Sequence, residues 1–184
     1  MEHLREEIEN CRRCGLWKTR SQPVCGTGSK DAEVMLIGEA PGFNEDRTGK
    51  PFVGRAGAIL DDMLQSVGME REDIFIANIL KCRPPKNRNP MPEEIAACTP
   101  YLDRQIAAIR PKTLCPMGNF AVSYVMEKFG LKSESVGKVH GRVYRIRNLI
   151  LEGRIIPLYH PAAAAYNAGL KPLLMEDFRK VANE

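Results

Sequence analysis

Apolar residues fall into short runs separated by longer stretches of mixed periodicity. Val34–Ile37 is unbroken apolar sequence that stops at Gly38, the mark of a strand covered on both faces. Asp73–Leu80, with Ile74, Phe75, Ile76 and Ile79, reads as a second strand, and Lys112–Pro116 as a third. Val143–Ile146 and Ile155–Tyr159 read as two more. Between them the period changes. Ile59, Leu60, Met63, Leu64 and Val67 line one helical face over 56–67. Pro92 followed by Glu93 and Glu94 opens a helix, because proline suits the first turn and carboxylates suit its positive end. That helix runs to about Ile109, with a kink or restart expected at Pro100. Residues 119–129 and 170–182 predict two further helices, and 2–10 a short charged one. Alternating strands and helices imply a parallel sheet covered on both faces. In such sheets ligands sit beyond the carboxyl ends of the strands. Gly38-Glu39, Asn78 and His160 all fall at such ends.

The chain of 184 residues is long enough for one sizeable core, and residues 1–184 are read as a single domain. The net charge of +4 permits a polyanionic partner without requiring one. The N-terminus is charged rather than apolar, and no stretch approaches a membrane span. A cytoplasmic (or nuclear) protein is expected. Six cysteines in a reducing compartment then argue for metal binding or burial over disulfides.

The segment VMLIGEAPGFNEDRTGKPFVGRAG, residues 34–57, has the outline of a phosphate loop but lacks its parts. Six residues separate Gly42 from Gly49-Lys50, and Pro51 replaces the metal-binding hydroxyl of a Walker A loop. Pro41 removes an amide, and Glu39 and Glu45 would repel phosphate. Phe52 and Val53, set in a polar, glycine-rich stretch, suit a planar hydrogen-bonding ligand better.

Cys11 and Cys14 form a CxxC pair, a spacing that lets both sulfurs face one metal. Cys82 and Cys98, separated by fifteen residues, are a weaker signal. Cys98 lies in the apolar row Ile95, Leu102, Ile106, so a buried structural thiol is the plain alternative. Cys82, just past a strand end, looks accessible. Four thiolates suit zinc or an iron–sulfur cluster, and spacing does not decide between them. Cys25 and Cys115 are left outside this set.

Together, GEAPG at 38–42, TGKPFVGRAG at 48–57, NILKCRPPKNRNP at 78–90 and HPAAA at 160–164 resemble the family-4 uracil-DNA glycosylases of thermophilic bacteria and archaea. The resemblance runs in order from Cys11 to about Ala165. It implies a three-layer α/β/α sandwich around a small, mainly parallel four-stranded sheet. It implies removal of uracil from DNA, and a [4Fe-4S] cluster held by Cys11, Cys14, Cys82 and Cys98. The glycine loop would then receive a flipped pyrimidine, with Gly38, Glu39, Ala40, Phe52, Asn78 and His160 forming the base site. Expected partners are uracil-containing DNA, single- or double-stranded, with a replication clamp as a further candidate. No membrane partner and a monomeric state are expected.

The residue types suit that chemistry. A base must leave the stack before it is cut, and Phe52 offers it a stacking face. Asn78 can donate to uracil O4 and accept from N3–H, whereas cytosine reverses both partners. His160 is placed to donate to O2 as negative charge grows on the leaving base. Water activation is less determined. In the family-1 glycosylases the comparable loop reads Gly-Gln-Asp-Pro-Tyr, and Ala40 stands where their water-positioning Asp lies. Glu39, Glu45 and Asn87 are the remaining catalytic candidates. Lys81, Arg83, Lys86 and Arg88, with Arg12 and Arg13, are expected to track phosphates. HPAAAAYNAG is expected to enter the minor groove, with Tyr166 or the alanines as wedge. Competing readings are a glycosylase for another deaminated base, such as hypoxanthine, and a non-catalytic iron–sulfur nucleic-acid-binding module.

Overall fold

A computed structural model describes residues 1–148 and 151–182. Six strands form one sheet in the order β1-β3-β2-β4-β6-β5, comprising β1 (Thr27–Gly28), β2 (Val34–Gly38), β3 (Phe75–Asn78), β4 (Thr113–Pro116), β5 (Tyr144–Arg147) and β6 (Glu152–Ile155). The four strands β3-β2-β4-β6 are parallel, and antiparallel β1 and β5 close the two edges. The expected four-stranded sheet is thus the centre of a six-stranded one. β1 has only two residues and β5 buries only one of its four, so neither edge carries a strong apolar signal.

β2 is fully buried and shows why an unbroken apolar run marks the middle of such a sheet. Met35 and Ile37 face α1 (Glu2–Glu9), α4 (Pro92–Ile109) and α5 (Asn119–Lys128), in a core with Ile8, Leu102 and Val125. Val34 and Leu36 face the other way, toward α3 (Arg55–Ser66) and α8 (Lys171–Ala182), in a core with Leu60, Met63 and Phe178. The period of two along a strand thus sends alternate residues into two helical layers.

Two sequence expectations shift. α4 is continuous through Pro100. Burial of Cys98, Thr99, Tyr101 and Leu102 holds it against the core across the missing hydrogen bond. The predicted strand over 155–159 begins earlier, as β6. Beyond Ile155, Ile156 and Leu158 still donate to Leu114 and Pro116 on β4. Pro157 between them has no N–H to give, so the regular ladder ends there. Three short helices lie in the connections: α2 (Phe43–Thr48), α6 (Val136–Val139) and α7 (Pro161–Tyr166).

Candidate active site

The carboxyl ends of β2, β3 and β6 converge. Gly38 pairs with Asn78 in the parallel register of β2 and β3, and Ile79 N–H donates to the Gly38 carbonyl at 3.0 Å. A methyl group on Gly38 would overlap Asn78 Oδ1 and stand 2.8 Å from Phe52 Cζ. Glycine at this position is therefore a packing requirement, since both side chains occupy the space above its Cα. Asn78 is 2% exposed and Phe52 5%. The Phe52 ring stacks on His160, with centroids 5.4 Å apart and planes 26° apart. Gly118, just after β4, has φ +85°, and its missing side chain leaves room for His160 Cβ. Gly38, Asn78 and His160, expected at strand ends, therefore meet at one place with Phe52 from the loop before α3.

His160 precedes α7, and the Ala162 N–H donates to its Nδ1 at 3.1 Å. A ring nitrogen that accepts carries no proton, so the neutral imidazole bears its hydrogen on Nε2. Burial drives the His160 pKa down to about 4, against a smaller opposing pull from Glu45. The ring is therefore neutral at physiological pH and presents one N–H donor.

The carboxylate candidates differ in setting. Glu39 lies half-buried beside Gly38, and burial raises its pKa above the usual carboxylate value. Glu45, in α2, accepts from the Val53 and Gly54 N–H groups with Oε1, both at 2.9 Å. It thereby satisfies donors at the start of α3 and fixes the end of the Phe52 turn. Ala40 is half-buried against the α4 side of the core. Asn87 lies apart from these groups in an exposed 3₁₀ turn, where its Oδ1 accepts from Arg83 Nε at 2.7 Å.

All four cysteines of the predicted set line a single cavity, together with Arg13, Arg20, Lys81 and Tyr101. Among the described residues, no three His, Cys, Asp or Glu side chains form a group that could hold a metal ion. Cys82 is buried at 6% exposure, where the sequence suggested an accessible thiol, because the chain folds α1 and the CxxC segment over it. Arg20 Nη1 donates to Cys82 Sγ and the Lys81 N–H to Cys98 Sγ, each at 3.1 Å. Burial raises the thiol pKa of Cys14 and Cys82, and that of Cys98 to about 12. Cys25 and Cys115 are also buried, and neither lines this cavity.

The basic residues divide. Lys81 is not a phosphate contact: it is 1% exposed, and its Nζ donates to the Asn78 carbonyl and to Gln105 Oε1. Burial lowers its pKa to about 8. Arg88 is held by both oxygens of Glu94, at 2.6 and 2.9 Å. Arg12, Arg13 and Lys86 are exposed. Arg83 and Arg47 lie over the exposed Phe43 ring, with guanidinium carbons 5.1 and 5.6 Å from its centroid. Tyr166, at the end of α7, is 91% exposed. No helix among the described residues is long and apolar enough to cross a membrane.

An amide and an imidazole beyond the carboxyl ends of a parallel sheet, with an aromatic ring from the loop before α3 stacked on the imidazole, suit a flat, hydrogen-bonding ligand. The family model of the Uracil DNA glycosylase superfamily matches residues 25–184. A type-4 uracil-DNA glycosylase of Saccharolobus solfataricus is 49% identical over 179 residues, covering 97% of this chain and 83% of that protein. One from Sulfurisphaera tokodaii is 46% identical, covering 98% and 83%, and one from Archaeoglobus fulgidus is 43% identical, covering 98% and 91%. The chain belongs to the uracil-DNA glycosylase superfamily, and within it to the type-4 uracil-DNA glycosylases.

Proposed function

We propose that the protein removes uracil from DNA by hydrolysing the bond between C1′ and N1 of a flipped-out deoxyuridine, leaving an abasic site. The observation that carries this reading is the meeting of Asn78 and Phe52 above Gly38, with His160 stacked on the Phe52 ring. The extruded uracil lies against Phe52. Stacking of a base on an aromatic side chain is worth about 1–3 kcal/mol, which offsets a similar cost of unstacking it from DNA. Asn78 donates to O4 and accepts from N3–H. Cytosine has a donor at C4 and a lone pair at N3, so both contacts fail, and failed polar contacts in a buried site discriminate strongly. As the glycosidic bond breaks, negative charge moves onto the base. The Nε2–H of His160 then donates to O2, one of the atoms over which that charge spreads. A neutral donor fixed in place before the reaction stabilises the leaving anion without reorganising.

Glu39 is the group best placed to hold the attacking water. It sits at the end of β2 beside Gly38, and burial raises its proton affinity as a base requires. Glu45 serves the site through the Phe52 turn it holds, and Asn87 through Arg83. Arg83, seated on Phe43 and hydrogen-bonded to Asn87, contacts the DNA backbone together with Lys86, Arg12 and Arg13. Tyr166 fills the gap left by the base.

The four-cysteine cavity fits a [4Fe-4S] cluster held by Cys11, Cys14, Cys82 and Cys98. The donor set is all sulfur, as such clusters require. Two N–H groups already point at sulfurs. Lys81 is a buried ammonium whose two hydrogen-bond partners are neutral oxygens, and buried cations call for nearby negative charge. Thiolates bound to iron provide it, whereas free thiols at this burial would be neutral. Bound to these four cysteines, the cluster would cross-link the N-terminal segment, the loop after β3 and α4.

The test is incubation with a uracil-containing oligonucleotide, then alkali and gel analysis, beside the same strand carrying cytosine or thymine. Cleavage confined to the uracil strand is expected. An intact uracil strand overturns the reading.

A further inference from the structure

The Phe52 turn is held in a conformation that a non-glycine residue rarely adopts. Phe52 has φ +53°, in the left-handed region where a side chain crowds its own backbone. Such a conformation persists only where the surroundings enforce it. One side chain supplies much of that enforcement. Arg71, from the turn between α3 and β3, reaches back under the loop. Its Nη2 donates to the Phe52 carbonyl at 2.6 Å and to the Gly57 carbonyl at 3.3 Å, and its Nη1 donates to the Pro51 carbonyl at 3.2 Å. Asp61 on α3 accepts from its Nε at 2.6 Å and fixes the plane of the guanidinium. A side chain at Gly57 would overlap the Phe52 carbonyl, so the first turn of α3 also closes against that peptide.

Resting on the reading above, we propose that Arg71 is a positioning residue for base excision. It acts through Phe52, by locking the turn that aims the ring at His160 and across Gly38. The fork geometry matters. Three carbonyls and one carboxylate are served by one rigid plane of N–H groups, which a lysine ammonium cannot reproduce. With the fork gone, Phe52 can relax out of the left-handed region and carry its ring away from the base. Misplacement by about 1 Å costs catalysis up to roughly a hundredfold. Asn78 keeps its register with Gly38 on β2, and His160 keeps its bond from the Ala162 N–H.

The test is a double-mutant cycle on the full chain, with Arg71→Lys, Phe52→Ala and the combination. Single-turnover excision of uracil is measured for each at saturating enzyme. Arg71→Lys is expected to lose about 10- to 100-fold in rate. The double variant is expected to be no slower than Phe52→Ala, because Arg71 has nothing left to position. Affinity for an oligonucleotide with a stable abasic site is expected to be unchanged, because that DNA offers Phe52 no base. Losses that multiply in the double variant, a wild-type rate for Arg71→Lys, or a parallel loss of abasic-site affinity would each overturn the proposal. If Arg71→Lys does not fold, Asp61→Asn frees the fork from its other end and must show the same masking by Phe52→Ala. A wild-type protein inactive on uracil defeats the functional reading itself. An active wild type with multiplying losses defeats only the role of Arg71.

Discussion

The Phe52 ring stacks on His160 at 5.4 Å between centroids, although 108 positions separate the two residues in the chain. The residue that would hold the base and the residue that would stabilise its departure thus support each other directly. His160 Nδ1 is occupied by the Ala162 N–H, which leaves Nε2–H as the donor.

Replacement of His160 by alanine is expected to lower the single-turnover rate about a hundred- to a thousandfold, the effect of deleting one oxyanion donor worth about 2.7–4 kcal/mol. Affinity for DNA with an uncleavable uracil analogue should persist, because the charge that His160 meets exists only in the transition state. A loss of affinity in proportion to rate would make the histidine a binding residue.

The same ring sets a pH dependence. In the folded protein His160 takes up its proton only near pH 4, and in the unfolded chain near 6.5. Between those values the unfolded state binds more protons, so stability falls as pH falls. The contribution, on the order of 3 kcal/mol, is present above pH 6.5 and is lost as pH falls to about 4. Urea midpoints for wild type and His160→Gln should converge on acidification. Parallel curves would contradict the assignment.

Asn78→Asp should weaken the rejection of cytosine. A protonated carboxyl donates and accepts in a different order, and a charged one only accepts. Excision from matched uracil and cytosine oligonucleotides measures the ratio. An unchanged ratio with unchanged uracil activity would remove Asn78 from base reading.

Purified protein is expected to be brown and to carry iron. Cys82→Ser should reduce both the iron content and the melting temperature, since a metal bound only in the folded state stabilises that state. Colourless protein with stoichiometric zinc would refute the cluster.

Lys81 and Arg83 sit two residues apart and should behave differently. Arg83→Ala is expected to weaken DNA binding for any sequence and to reduce the salt slope by about one. Lys81→Ala should leave the salt slope unchanged and lower stability, because it orphans the Asn78 carbonyl and Gln105 in a buried site. Salt-titrated affinities and melting curves for the two variants distinguish them.

The sequence by itself determined the layered α/β class, the strand ends that carry Gly38, Asn78 and His160, and the CxxC pair of Cys11 and Cys14. Those signals are local. An unbroken apolar run ending in glycine, a helical row of leucines and a CxxC spacing each follow from the period of a single element. Tertiary structure decided what depends on residues far apart in the chain. Lys81 reads as one more charge in a basic stretch, and only the fold turns it inward to the Asn78 carbonyl while leaving Arg83 on the surface. Glu45 and Glu39 look equivalent until the backbone amides of Val53 and Gly54 claim one of them. Arg71 carries no sequence signal at all. Its partners are backbone carbonyls, which every residue possesses, so its purpose appears only where the chain brings Pro51, Phe52 and Gly57 around one guanidinium.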